Sequence, residues 1–136
     1  VWGAIFEKHK SHHAKKAEEV LRRVGLWEKR GELAVNLSYG QRKLLEIGRA
    51  LAMNAEVYLL DEPFAGLFPE MVKIISGIVR ELRDRGKTVI LVEHDMNIIR
   101  ELCDHVFVMD EGRLLAEGKP EEVLSRREVV EAYLGE

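Results

Sequence analysis

Apolar positions recur along this chain at two different periods, and the alternation between them predicts the fold class. Over residues 41–53, Leu44, Leu45, Ile47, Leu51 and Ala52 fall at helical spacing, while Arg42, Lys43, Glu46 and Arg49 take the wetter positions. A second amphipathic helix opens at Pro69, with Met71, Ile74, Ile75, Ile78 and Leu82 as its stripe up to Arg85. Two short runs, Val57-Tyr58-Leu59-Leu60 and Thr88-Val89-Ile90-Leu91-Val92, are apolar on both faces, as expected of strands in a parallel sheet covered by helices. A helix is predicted from about residue 14 to 24, ended by Gly25, and a polar connection follows over residues 27–36. Asp95 is placed to N-cap a helix through Leu102. Residues 105–117 read as a hairpin around Asp110-Glu111-Gly112. Pro120 with Glu121 and Glu122 starts a closing helix, and a last one, from about residue 127 to 134, finishes on Gly135. The expected fold is α/β: a mostly parallel sheet with flanking helices and a C-terminal antiparallel hairpin.

Composition narrows the function classes. At 136 residues, 46% hydrophobic and 33% charged, the chain has the balance of one globular domain with a core. A net charge of -3 gives no broad basic surface, so nucleic acid is not the expected partner. Cys103 stands alone, which rules out an intrachain disulfide and suits a reducing cytosol. The start, Val1 to Phe6, meets charge at once in Glu7, Lys8 and Lys10, unlike a signal peptide, and no apolar run approaches the roughly 20 residues of a membrane span. Any membrane role is expected to be peripheral, through a partner. Val1 in first place reads as a cut end, which processing, a cloning boundary or a split or truncated gene would each produce. His9, His12 and His13 lie in a basic run with no acidic or thiol ligand interleaved, and read as a solvated segment rather than a metal site.

The candidate chemistry is concentrated in two stretches. Leu37-Ser38-Tyr39-Gly40-Gln41 opens a helix, and Ser38-x-x-Gln41 has the form of a capping box. Capping does not require Gly40, where a better helix former would serve; glycine lets the backbone approach a ligand closely. Further on, the strand ending in Leu60 runs straight into Asp61-Glu62-Pro63. Two ionised carboxylates beside a buried strand are costly to desolvate, and a turn-capping role for Asp61 would explain only one of them. An acid at the C-terminal end of such a strand is where a doubly wound sheet places its site, and it suits a hard cation such as Mg2+. Gly86-Lys87-Thr88 imitates the tail of a phosphate loop, but Glu81 stands where that loop begins with glycine. The tripeptide also leaves a helix to enter a strand, so it offers carbonyls rather than N–H groups; Gly86 reads as a helix C-cap.

These stretches, in this order and spacing, resemble the signature motif and the Walker B strand of ATP-binding cassette (ABC) ATPases, and His94 stands where that family keeps its switch histidine. The resemblance implies that Ser38, Tyr39, Gly40 and Gln41 contact the γ-phosphate of ATP held on the opposite subunit. It implies that Asp61 holds Mg2+ through water, that Glu62 is the general base for the attacking water, and that His94 senses the γ-phosphate. Ala65-Gly66-Leu67 resembles the D-loop, with Phe68 where the usual pattern has aspartate. Tyr39 replaces the commoner glycine, as in importers of the branched-chain amino acid type. The stretch from Glu117 to Val123 and the ending Ala132-Tyr133-Leu134-Gly135-Glu136 resemble the same subgroup. The likeness runs from residue 14 onward and covers a little over the C-terminal half of a cassette. It divides the chain into a helical subdomain with the signature, residues 1–53, and a core part of P-loop NTPase type, residues 54–136. No G-x-x-x-x-G-K-S/T loop occurs in the sequence, nor do the family's adenine-stacking loop and Q-loop glutamine.

The resulting expectation is the C-terminal part of the ATP-hydrolysing subunit of an ABC importer for branched-chain or related amino acids. Its cofactors are ATP and Mg2+; its partners are a second ATP-binding subunit and membrane permease subunits at the inner, cytoplasmic face of the cell membrane. Alone, the chain is expected not to turn over ATP. A different class is a non-catalytic interaction module that complements an N-terminal half or an intact cassette in trans. The DNA-repair and chromosome-maintenance branch of the family is disfavoured, because no heptad coiled coil precedes the signature. With half a sheet's partners missing, strand edges are expected to lie bare and to drive self-association.

Overall fold

A computed structural model of the chain describes residues 2–134, with side chains over residues 13–133. Val1 and Gly135, read above as a cut end and as a helix stop, lie outside the described residues, as do the side chains of His9 and His12. The chain folds as two compact units, Val1–Leu91 and Val92–Glu136.

In the first unit, α1 (Trp2–Arg23) is followed by two 3-10 turns, Trp27–Lys29 and Ala34–Asn36, then α2 (Tyr39–Met53), β1 (Val57–Asp61), α3 (Pro69–Asp84) and β2 (Thr88–Val92). Helix α1 starts about 12 residues earlier than the apolar pattern predicts. Its first half carries no apolar periodicity, but between Gly3 and Gly25 there is no glycine or proline to stop a helix. It ends as expected at Gly25, whose φ of 70° lets Leu26 N–H return to the Leu21 carbonyl at 2.8 Å. Beyond it, Trp27 carries the guanidinium groups of Arg22 and Arg30 at 4.6 and 4.5 Å from its ring centroid.

Helices α1 and α2 meet at Gly48, where a methyl would stand 3.2 Å from Val20 and 3.5 Å from Val24. Arg23 reaches from α1 to Glu81 of α3 at 2.5 Å. Helix α3 buries Ile75, Ile78 and Leu82 as its spacing predicts, and adds Ser76 and Val79; Met71 and Ile74 are half-buried. It stops on a glycine C-cap at Gly86 (φ 74°), with Lys87 N–H donating to the Leu82 carbonyl at 3.0 Å.

Strands β1 and β2 form a two-stranded parallel sheet joined by α3 as the crossover helix. The expectation that β1 is covered on both faces is corrected here. Tyr58 is buried, but Val57 and Leu59 are 50% and 74% exposed, and on β2 Ile90 is 50% exposed. Side chains alternate across a strand, so the helices cover one face and the other is bare. The apolar character of that face belongs to a sheet with layers on both sides, of which the described residues supply one.

The second unit comprises α4 (Met96–Leu102), β3 (Val106–Asp110), β4 (Arg113–Gly118), α5 (Pro120–Val123) and α6 (Arg127–Leu134), all close to their predicted bounds. Asp95 caps α4, accepting from the N–H groups of Asn97 (2.8 Å) and Ile98 (3.4 Å). Strands β3 and β4 pair antiparallel around Glu111-Gly112, where φ is positive at both residues (44° and 76°), the turn that matches strand twist. Val108 pairs with Ala116 but Met109 with Leu114, so Leu115 is an extra residue in the ladder. Ala116 then joins the core of Ile99, Val108, Val123, Leu124 and Val129, with Leu115 and Cys103 packed against it. From α6, the Tyr133 hydroxyl donates to the Met109 carbonyl at 2.7 Å.

Two consequences are measurable. Gly48→Val drives methyls into Val20 and Val24, and is expected to lower unfolding free energy in urea by about 1–3 kcal/mol despite valine's better helix propensity. Burial, with the charges of Asp104 and Glu93 adding to it, pushes the Cys103 thiol pKa up. A raised folded-state value means a contribution fully present below the ordinary thiol value and lost as pH rises from there through the raised one. Iodoacetamide at mildly alkaline pH should therefore alkylate Cys103 more slowly in the folded chain than in urea.

Candidate functional site

The capping box predicted at the start of α2 is formed. Gln41 N–H donates to Ser38 Oγ at 3.3 Å and Ser38 N–H donates to Gln41 Oε1 at 2.9 Å. Arg42 reaches back to the buried Leu37 through its carbonyl (2.8 Å), fixing the entry of the chain into the helix. The N–H groups of Tyr39 and Gly40, first in the helix, have no intrahelical acceptor by helix geometry, and they lie at the positive end of a 15-residue helix. Ser38 accepts one bond here through Oγ, and its hydroxyl retains a proton to donate. This end of α2 can bind an anionic oxygen.

Gly40 has a packing reason for being glycine. A methyl at residue 40 would stand 2.3 Å from Sδ of Met71 and 3.3 Å from Cδ2 of Leu67. The converse contact occurs at Gly66, whose φ is 69° and where a methyl would stand 3.4 Å from Cε1 of Tyr39. Tyr39 itself is 51% exposed. Residues 38–41 and residues 65–67 are thus neighbours, a proximity that sequence reading did not foresee. No signal in the sequence pairs Gly40 with Met71, which reads there only as one position of a helical stripe.

Between these turns, β1 ends on Asp61 and the chain turns at Glu62. Ala65 N–H donates to the Glu62 carbonyl (3.3 Å) and Leu67 N–H to the Phe64 carbonyl (3.2 Å), over the buried side chains of Pro63 and Phe64. Asp61 and Glu62 are both exposed, so the desolvation cost anticipated for them does not arise in this chain. Glu62 has φ 43°, a left-handed conformation costly for a side chain with a Cβ and concentrated at functional turns. Lys43 of α2 donates to the Glu62 carbonyl at 3.4 Å. A cleft of about 180 Å³ opens here, with Lys43, Glu46 and Ile47 on one side and Leu59, Asp61 and Pro63 on the other.

No group of three or more His, Cys, Asp or Glu side chains among the described residues is arranged to cage a metal ion. A lone exposed carboxylate such as Asp61 fits Mg2+, which keeps several waters and takes other oxygens from phosphate. His94 belongs to the second unit, where it is exposed between Asp95 and Glu93, whose carboxylate accepts the His94 N–H at 3.3 Å.

Two family models match the chain: one described as ABC transporter over residues 3–65, and one described as Branched-chain amino acid ATP-binding cassette transporter over residues 113–136. The chain belongs to the ABC transporter ATP-binding family. Among ABC relatives, it is 42% identical over 118 residues to the arginine transport ATP-binding protein ArtM of Bacillus subtilis, covering 87% of this chain and 49% of that protein. It is 39% identical over 132 residues to the high-affinity branched-chain amino acid transport ATP-binding protein LivG of Salmonella typhimurium, covering 96% and 52%. A solved ATP-binding cassette of an ABC transporter in its ADP conformation aligns with a TM-score of 0.77 at 40% identity, over 90% of this chain and 50% of that one. The chain thus spans about half the length of the curated ABC relatives it matches. Members of this ABC family bind ATP, use Mg2+, dimerise and work with membrane permease subunits.

The left-handed backbone at Glu62 sets a test separate from catalysis. Glu62→Gly is expected to stabilise the unit by roughly 0.5–1 kcal/mol, because glycine adopts this φ without steric cost. Glu62→Val should destabilise it; urea titration of both variants measures the difference.

Proposed function

We propose that this chain is the C-terminal part of the ATP-hydrolysing subunit of an ABC importer for branched-chain or related amino acids. The observation that carries the reading is the contact between the capped start of α2 and the turn following Asp61 and Glu62, through Gly40 and Gly66. Residues 38–41 would present N–H groups and the Ser38 hydroxyl to the γ-phosphate of ATP held on a second ATP-binding subunit. Asp61 would hold Mg2+ through water, and Glu62 would take a proton from the water that attacks the γ-phosphate. His94 would sense the γ-phosphate, and residues 65–67 would cross the subunit interface as a D-loop. Bound Mg2+ would neutralise charge developing on the phosphate oxygens. Residues 1–53 would form the helical subdomain and residues 54–136 the core part.

ArtM and LivG are named as amino-acid transport ATP-binding proteins, and the family model over residues 113–136 carries the branched-chain description, which together favour this substrate class. Among the described residues no helix is long and apolar enough to cross a membrane. At the inner membrane face the chain would work with permease subunits. A second reading is a non-catalytic interaction module that complements an N-terminal half or an intact cassette in trans.

The isolated chain is expected to show neither calorimetric binding of Mg-ATP nor phosphate release. Co-expressed with a segment carrying a phosphate loop, it should gain ATPase activity, and Glu62→Gln should then lower kcat by about 10²–10⁴-fold. Turnover by the chain alone, abolished by Glu62→Gln, would refute the first expectation. Restored activity indifferent to Glu62→Gln would refute the catalytic assignment, and activity restored only by an intact cassette would favour the module.

The bare face of the β1–β2 pair sets a further expectation. Exposed Val57, Leu59 and Ile90 beside open strand edges should make the isolated chain self-associate. Light scattering should give a mass that rises with concentration, and Leu59→Lys should lower it; a monodisperse monomer at all concentrations would refute the idea.

A further inference from the structure

We propose that Met71 is a positioning residue that holds the start of α2 and the turn at Gly66 as one body. The proposal rests on the reading of residues 38–41 as a phosphate contact, and names the side chain that aims them.

Met71 lies in the first turn of α3, its N–H donating to the Phe68 carbonyl at 2.9 Å. Its thioether occupies the space a side chain at residue 40 would need, with Sδ at 2.3 Å and Cε at 3.1 Å from that position. Leu67 Cδ2, at 3.3 Å, completes the wall. Across the same junction the contact is reversed: the ring of Tyr39 leans on Gly66. Gly40 thus receives Met71 of α3 with Leu67 beside it, and Gly66 receives Tyr39 of α2. With both contacts in place, a displacement of the turn at Gly66 is expected to move the first N–H groups of α2, and the reverse.

Position matters here more than burial. The hydrophobic contribution of α3 comes from Ile75, Ile78, Val79 and Leu82, all buried, whereas Met71 is half-buried. Hydrogen bonds from a helix N-terminus weaken steeply with misdirection, so the side chain that sets the first turn's position sets its capacity to bind an anion. An unbranched thioether suits this task, because it keeps contact through small displacements that a branched side chain would resist.

Hydrogen exchange on the full chain tests the proposal without nucleotide, so its outcome does not depend on whether the ATP reading holds. The reporters are the Ser38 and Gln41 amides, bonded within the capping box, and the Ala65 and Leu67 amides, bonded within the turn. Met71→Ala is expected to speed exchange at all four by about fivefold or more, relative to the amides of Ile78 and Val79 in mid-α3. Met71→Leu, which keeps volume, should return them to within about twofold of the parent. Gly40→Ala should speed the same four by pushing the thioether aside, and combining it with Met71→Ala should slow them again. Unchanged rates in Met71→Ala, or rates rising only in step with mid-α3, would overturn the proposal. A rise confined to one of the two turns would overturn the one-body claim.

Discussion

Close backbone approach at two glycines of α2 is the constraint on which the first unit depends. At Gly48 the helix comes against Val20 of α1 and Val24 just past its end, and at Gly40 it comes against Met71 of α3. Eight residues separate the two, a little over two helical turns, so one helix is gripped near both ends by different neighbours. Side chains at these positions would hold the helices further apart, and the N-terminal end of α2 would lose its fixed relation to the end of β1. The capping box then only has to satisfy local N–H groups, since packing has already decided where they are.

The end of β1 shows a different kind of organisation. The strand ends at Asp61, and the buried Pro63 and Phe64 anchor the turn that follows. That anchoring lets Asp61 and Glu62 stay in water and lets Glu62 hold a backbone conformation that an isolated peptide would avoid. Strain at a carboxylate whose proposed role is to orient water is consistent with positional selection, because relaxing φ would swing the side chain away.

Much of this was legible in the sequence where the signal is local. Ser38-x-x-Gln41, Asp95, Gly25, Gly86 and Glu111-Gly112 each announce a cap or turn through chemistry confined to a few neighbours, and each forms. The early start of α1 was missed because the run of lysines and histidines over residues 8–16 has no apolar stripe in its sequence to betray a helix. The exposure of Leu59 was missed because hydrophobicity reports the environment for which a strand is suited, not which layers accompany it. The socket at Gly40 was illegible for a third reason: its partner, Met71, is 31 residues away and its meaning lies in geometry that no spacing rule encodes. Family likeness gives the motif residues their expected roles, and says nothing of which side chains pack against them.

The hydroxyl of Tyr133, bonded to the Met109 carbonyl, has an effect beyond tethering the last helix. A phenol seated on a strand carbonyl occupies a position where an incoming peptide would otherwise begin to zip. Cross-β growth needs an uninterrupted row of such positions. On this hairpin a pairing strand would have to displace the phenol to reach the Met109 carbonyl.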